Sequence, residues 1–391
     1  MEQKLLSIVV PTKNRYKYLQ SFIELVDSFH EASIELVIQD NSDDNRSFLE
    51  YLSNRNYSFI VYDYCSENLS VIENSDKAVK AASGKYICFM GDDDLVLKDL
   101  TRFVYEMDKR GIESAFFERA SYSWPGVSYK VHKIPNLHIP SFTGKIKYLD
   151  VKKQLKNLLS HGAVSLDYMP QLYHGVILRS CLDEIYKITG TYFPGPSPDM
   201  AVAVALSKIV KKHIICDVPH TVAGTAPKSA GGMGAKHQHK GEIKNTPWLP
   251  KDTEEKWESA IPKIWTGPTI YAESAIKSLR AMGMKKELKF FNYYYHYAYM
   301  TVFCPDFADL VNEKLKGDFF GRLKVCCNIV GIFAMRVRVF MKNFMTFKLG
   351  ITKDILKNDV ATSFQAGNDI NLILEQRKIT PEILFKKCID C

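Results

Sequence analysis

The stretch Tyr86-Ile87-Cys88-Phe89-Met90-Gly91-Asp92-Asp93-Asp94 decides the fold, because an apolar run of strand length stops abruptly at three carboxylates. Working outward from it, the chain repeats the same grammar. Upstream, Leu6-Ser7-Ile8-Val9-Val10 is a buried strand halted by Pro11, and residues 16–29 carry helical apolar spacing. Ile34 to Ile38 reads as a second strand ending in Gln39-Asp40-Asn41-Ser42, residues 45–54 as a helix, and Phe59-Ile60-Val61-Tyr62 as a third strand. The pattern predicts a helix over 75–83, stopped at Gly84 by a C-cap glycine. Short apolar runs alternating with helices imply stacked βα units on a mostly parallel sheet. The expected class is α/β and doubly wound, and ligands in such sheets bind beyond the carboxyl ends of the strands. Asp40 and the Asp92–Asp94 run both fall at such ends.

Downstream, residues 115–150 are rich in aromatics, Pro and Gly and read as strands and loops beside the site. Residues 170–188 read as a strand then a helix, and 199–211 as a helix. The expected organisation is an α/β domain over 1–225, a flexible Gly/Ser/His/Lys loop over 226–250, and a smaller, mainly helical region over 251–391. No internal repeat is visible.

Composition agrees with a globular chain: 391 residues, 46% hydrophobic, 12% aromatic and 25% charged. The nine cysteines are scattered without a CxxC pair, and no signal peptide is evident, so thiols in the cytoplasm are expected. The net charge of +8 conceals an asymmetry. Residues 1–100 hold ten Lys or Arg against seventeen Asp or Glu, whereas 314–348 hold eight Lys or Arg and only Asp318. That basic stretch attracts phosphates, whether of nucleic acid, anionic lipid or a lipid-linked diphosphate.

Three adjacent carboxylates repel one another unless a cation neutralises them. Hard oxygen ligands suit Mg²⁺ or Mn²⁺, which bind through one or two carboxylates plus substrate phosphates. The plainer reading is an acidic turn with Asp94 capping a helix that begins near Leu95. The strand before the triplet, and Asp40 at a second strand end, favour the cation. In Pro194-Gly195-Pro196-Ser197-Pro198-Asp199, Ser197 as N-cap and Pro198 at N1 put Asp199 in a first helical turn. There it either complements the helix dipole or acts as a general base; spacing leaves both open.

Phe319 to Met345 is apolar with Arg322, Lys324, Arg336, Arg338 and Lys342 set into it. Eleven residues separate Lys324 from Arg336, short of the roughly 18–20 needed to span a bilayer. On a helical wheel Lys324, Arg338 and Lys342 cluster opposite Arg322 and Arg336, so a partly buried bundle helix stays open beside surface attachment to anionic membrane, the expected role of 314–348.

Ser7-Ile8-Val9-Val10-Pro11-Thr12-Lys13-Asn14-Arg15 resembles the opening strand and loop of family 2 glycosyltransferases. Leu36-Val37-Ile38-Gln39-Asp40-Asn41-Ser42 and the stretch from Asp76 through Lys77 to Asp94 resemble their next two blocks, in the same order. The GDDD form is similar to the branch that builds bacterial surface polysaccharides, including abequosyltransferase-like enzymes. The likeness covers residues 1–100 closely and the next 130 loosely. It implies a GT-A fold and an inverting, metal-dependent transfer of one hexosyl or deoxyhexosyl group in O-antigen or capsule synthesis. The donor would be a nucleotide-sugar, and the acceptor a hydroxyl of a lipid-linked glycan at the inner face of the cell membrane.

By the same resemblance Pro11, Thr12, Asn14, Arg15 and Lys77 would line the nucleotide-sugar pocket, and Asp40 would accept from the base. Asp92 would face the ribose or the metal, and Asp93 would be the principal ligand of Mn²⁺ or Mg²⁺. Gly91 stands where the usual Asp-x-Asp has its first acid, which shifts or reduces that ligand set. Asp199 matches the acid carried before a comparable helix, favouring the general-base role. His174 would lie near the acceptor, although a core histidine is an equal reading. Lys228, His237 and His239 would close on the diphosphate, although a solvated His-x-His is the commoner case.

The alternatives are a sugar nucleotidyltransferase and a non-catalytic nucleotide-sugar or nucleic-acid-binding module. The former lacks a Gly-rich basic loop after the first strand. A dinucleotide oxidoreductase fails because that strand leads to Pro-Thr-Lys-Asn-Arg rather than GxGxxG. The acidic N-terminal region argues against nucleic acid.

Overall fold

In the computed structural model, which describes residues 3–127, 136–227, 229, 232 and 240–388, the first strand, β1 (Leu6–Thr12), lies at the centre of the main sheet. Its alternate side chains enter two different cores: Leu6, Ile8 and Val10 one, Val9 the other. A strand covered on both faces needs helices on both sides, and the βα crossovers supply them. Helix Tyr16–Asp27 leads to β2 (Ile34–Asp40), helix Arg46–Ser53 to β3 (Ile60–Tyr64), and helix Val71–Ala81 to β4 (Tyr86–Phe89). The remaining strands are β5 (Leu95–Val96), β6 (Ser114–Phe117), β7 (Ala120–Ser123), β8 (Leu137–Ile139), β9 (Ile146–Leu149) and β10 (Val176–Leu178), then β11 (His213–Cys216), β12 (Thr221–Thr225), β13 (Lys240–Gly241), β14 (Trp265–Thr266) and β15 (Ile355–Lys357).

The main sheet runs β3-β2-β1-β4-β10-β6-β11-β9. Only β10 and β9 oppose the common direction, so the sheet is mostly parallel. A second sheet, β15-β8-β7-β12-β5, carries β12 alongside β5, just after the acidic loop. Helix Pro198–Ile209 is buried almost throughout and packs with helix Gly267–Ala281 in the second core. Helices Ser363–Gln376 and Pro381–Lys386 return to the first core, where Ile370 and Phe385 are buried. A third, smaller core joins helices Tyr293–Phe303, Ala308–Lys314 and Phe319–Asn343.

Four readings are corrected. Helix Val71–Ala81 begins earlier than its apolar pattern, because Ser70 and Glu73 form a capping box. Gly84 is not a left-handed cap: helix exit is through Ala82 in extended conformation. Glycine is required there for close approach, since a Cβ would lie 2.5 Å from Ser7 Oγ and 2.6 Å from Ser7 N. The residue after the acidic triplet opens β5, and the next helix, Leu100–Lys109, starts five residues later, so Asp94 caps no helix. Among the described residues seven cysteines are free, but Cys388 is disulfide-bonded, which departs from the expectation of thiols throughout.

Candidate active site

The carboxyl ends of β1 and β4 lie side by side, and this parallel pairing brings Thr12 to the acidic loop. Thr12 Oγ1 donates to Asp92 Oδ2 at 2.7 Å. Arg15, just beyond β1, places one guanidinium nitrogen 3.0 Å from Asp92 Oδ1 and 2.6 Å from Asp93 Oδ1. Neither contact has hydrogen-bond alignment, so both are ion pairs held by charge. All three aspartates are buried. Burial, with repulsion from Asp93, pushes Asp92 up to about 7 against the pull of Arg15. Asp93 is raised too, by burial and by Asp94.

Asp94 behaves differently. Burial opposes its ionisation, but His174 beside it and the donors around it hold it below the ordinary carboxylate range. Its Oδ2 accepts from Gly91 N and Tyr173 Oη, each at 2.7 Å, and lies 3.2 Å from His174 Nε2. Its Oδ1 accepts from Gly224 N at 2.7 Å. Gly91 is explained by that network: a Cβ there would meet Tyr173 Oη at 2.7 Å and Asp94 Oδ2 at 2.8 Å. Strand β12 closes over the loop, where Ala226 N donates to Asp93 Oδ2 and Trp124 Nε1 to the Asp93 carbonyl. A Cβ on Gly224 would collide with that same carbonyl.

On one side of the acidic loop opens a cleft of about 310 Å³ that includes Pro11, Thr12, Arg15 and Asp92. Its far wall carries Asn74 and Trp248, and Asn74 Oδ1 is buried without a hydrogen-bond partner. Trp248 is held there because its carbonyl accepts from Val71 N and its ring meets Trp265 edge-on. Asp40 lies beneath the cleft rather than in its wall: it is fully buried and accepts from Tyr16 Oη, Tyr62 Oη and Ser42 N. Its neighbour Asn41 reaches the wall instead. Asn14 ties the loops after β1 and β2 together through Ser42 and Asp43, in left-handed conformation at φ 57. Lys77 is exposed on its helix outside the cleft lining.

On the other side stand His174 and Asp199. His174 is buried in left-handed backbone, φ 61, and its Nδ1 has no hydrogen-bond partner. Asp199 occupies the first turn of its helix after Ser197 and Pro198, half-buried, with no hydrogen bond or ion pair among the described residues. Burial raises its pKa against the opposing pull of His174 and Arg119. Arg119, Tyr173 and Trp124 went unnoticed in the sequence, as did Trp248; nothing local marks them. Lys228, His237 and His239 lie outside the described residues. No group of three or more His, Cys, Asp or Glu able to hold a metal occurs among the described residues.

With this geometry in view, comparison with known proteins is informative. Residues 7–165 match the family described as Glycosyl transferase family 2. Over 100 residues the chain is 33% identical to abequosyltransferase RfbV of Salmonella typhimurium, covering 24% of this chain and 30% of that protein, so less than a third of the relative is spanned. The structure of S. aureus TarS 1–349 in complex with UDP-GlcNAc is similar at 15% identity and TM-score 0.45, covering 83% of this chain and 89% of that one. The same fragment in complex with UDP gives 14% and 0.42 over the same shares. The mostly parallel sheet with its helices, followed by a helical C-terminal region, is the α/β architecture expected from the sequence. The matched residues 7–165 contain Thr12, Arg15 and the Gly91–Asp94 loop, so this part of the site lies within the stretch that is similar to glycosyl transferase family 2.

Proposed function

We propose that the chain moves one sugar, with inversion, from a nucleotide-sugar to a hydroxyl of a lipid-linked glycan in surface polysaccharide synthesis. The observation that carries this reading is the pair of buried carboxylates, Asp92 in the wall of the cleft and Asp93 next to it, both within ion-pair distance of Arg15. Two raised carboxylates in the loop beyond one strand end are poised to take a cation together with substrate phosphates. The donor set fits Mn²⁺ or Mg²⁺ shared with a diphosphate: oxygen ligands only, and Asp92 Oδ1 buried without a hydrogen-bond partner. Such an ion would supply electrostatic stabilisation of the departing diphosphate. Arg15 stands at the same place and offers a second positive charge to the phosphates.

Asn41, Asn74 and Trp248 are read as the nucleoside wall, with Asp40 holding the β2 end in shape beneath it. Asp199 would take the proton from the acceptor hydroxyl as it attacks, since an alcohol is a poor nucleophile until deprotonated. Among the described residues no hydrogen bond or ion pair competes for that carboxylate. His174 is read as a positioning residue that fixes Asp94 while facing the acceptor side. The basic segment 314–348 supports a location on the inner face of the cell membrane, where a lipid-linked acceptor would be met.

The test is nucleotide release from UDP-, GDP- and dTDP-sugars with and without Mn²⁺, beside thermal shifts for the same donors. One donor should raise apparent stability, more so with Mn²⁺, and be turned over. If no donor shifts the melting point under either condition, the reading is wrong. Trp248→Ala should weaken that donor about tenfold in KM, within the ~1–3 kcal/mol typical of base stacking on an aromatic ring. Trp248 is 38% exposed, so its loss should leave the fold intact; an unchanged KM would remove it from the wall.

A further inference from the structure

Helix Phe319–Asn343 touches the body along one side only. Gly321, Val325 and Ile332 are its buried residues, packed in the small core with Tyr297 and Met300. Opposite them Leu323, Cys327, Val330, Ala334, Val337 and Met341 recur at alternating spacings of four and three, which aligns them in one stripe along the helix. Every one of them is exposed, Val330 at 71%, and Phe333 and Phe340 widen the stripe at 58% and 53%. From Phe333 to Asn343 no residue is buried at all. An apolar surface of this extent marks an interaction site.

The basic residues complete the pattern. Arg322 and Arg336 lie on the edge nearer the body, where Arg322 Nε donates to the Leu315 carbonyl and Arg336 Nη1 to the Val302 carbonyl, while Lys324, held over the Tyr294 ring, stands with the exposed Arg338 and Lys342 on the other edge. The two opposed clusters that spoil a simple amphipathic reading are thus the two edges of one apolar face. The overall amphipathic contrast is weak because the buried side and the exposed stripe, both apolar, offset each other. No Asp or Glu occurs between Phe319 and Lys353. No helix among the described residues is long and apolar enough to cross a membrane.

We propose that this face docks the protein in the plane of an anionic membrane, with the stripe entering the acyl boundary and the exposed Arg338 and Lys342 resting on lipid phosphates. Long basic side chains flanking an apolar stripe suit that interface, because their stems stay with the lipid while their charges reach the headgroups. A second copy of the helix fits the face poorly, since a homodimeric seam would set like charges against each other on both flanks. The proposal gives the membrane location suggested for the reaction a physical surface, and lipid binding needs no turnover, so either can fail alone.

The full-length chain should co-sediment with vesicles of equal parts phosphatidylcholine and phosphatidylglycerol, and not with phosphatidylcholine alone. Val330→Asp with Val337→Asp, and separately Arg338→Glu with Lys342→Glu, should each lower the partition coefficient at least about tenfold. Both pairs are exposed, so turnover of soluble donor should stay at the unsubstituted level. Failure of the unsubstituted protein to bind anionic vesicles would overturn the proposal. So would unchanged binding by both double variants, or a stable dimer in solution that Val330→Asp dissociates.

Discussion

Replacing Asp199 with Asn is expected to cut turnover by roughly 10²- to 10⁴-fold, the usual contribution of a positioned general base, while donor binding persists. The substitution keeps shape and removes only the ability to take a proton. Asp199 makes no hydrogen bond or ion pair among the described residues, so the fold has little to lose. Its position follows from Pro198 at the first helical position and from Ser197 N donating to Ser274 Oγ at 2.8 Å, neither of which involves the carboxylate. The pH profile gives a second readout. A base works only when deprotonated, so the rate should fall as pH drops through the pKa of Asp199. Burial holds that pKa above the ordinary 3.8, so the acid limb should appear above that value and vanish in the residual rate of the Asn variant. Turnover near the unsubstituted level in that variant would reassign the base, with His174 the next group to test.

The sequence disclosed the positions of strands better than the roles of side chains. β1, β2 and β4 are apolar runs buried along most of their length, β3 is only half-buried, and the strand-end rule pointed to Asp40 and Asp92. What surrounds those residues comes from far along the chain. Trp124 reaches Asp93 across 31 positions, Tyr173 reaches Asp94 across 79, and the amides of Gly224 and Ala226 arrive across 130 and 133. No periodicity carries such contacts. Asp40 shows the same limit: its place was legible, but its saturation by Tyr16 and Tyr62 was not. Gly84 was misread because a glycine after a helix usually turns the chain, whereas here it makes room for Ser7. In Phe319–Asn343 the wheel gave the angles of the charges but not which side the body occupies. That missing fact turned two scattered clusters into a bordered face.

Asp94→Ala is expected to destabilise the fold by about 3–5 kcal/mol, the usual effect of removing one partner from a buried charged network. The carboxylate is a hub: without it the amides of Gly91 and Gly224, the hydroxyl of Tyr173 and the ring of His174 all lose their acceptor inside the protein. Asp93→Asn should behave in the opposite sense. The fold holds Asp93 above the ordinary carboxylate range, so its charge is a burden that Asn relieves, and stability should stay level or rise. Activity should order the two variants differently, because Asp93 pairs with Arg15 and is the proposed cation ligand. Urea midpoints at neutral pH, beside nucleotide release with Mn²⁺, separate the effects. A stable, inactive Asp93→Asn with an unstable Asp94→Ala would divide the triplet into a working pair, Asp92 and Asp93, and a keystone. If Asp94→Ala unfolds at the same urea concentration as the unsubstituted chain, Asp94 is not the keystone. The four donors would then find water at no cost, and the reason for Gly91 and Gly224 would have to be sought elsewhere.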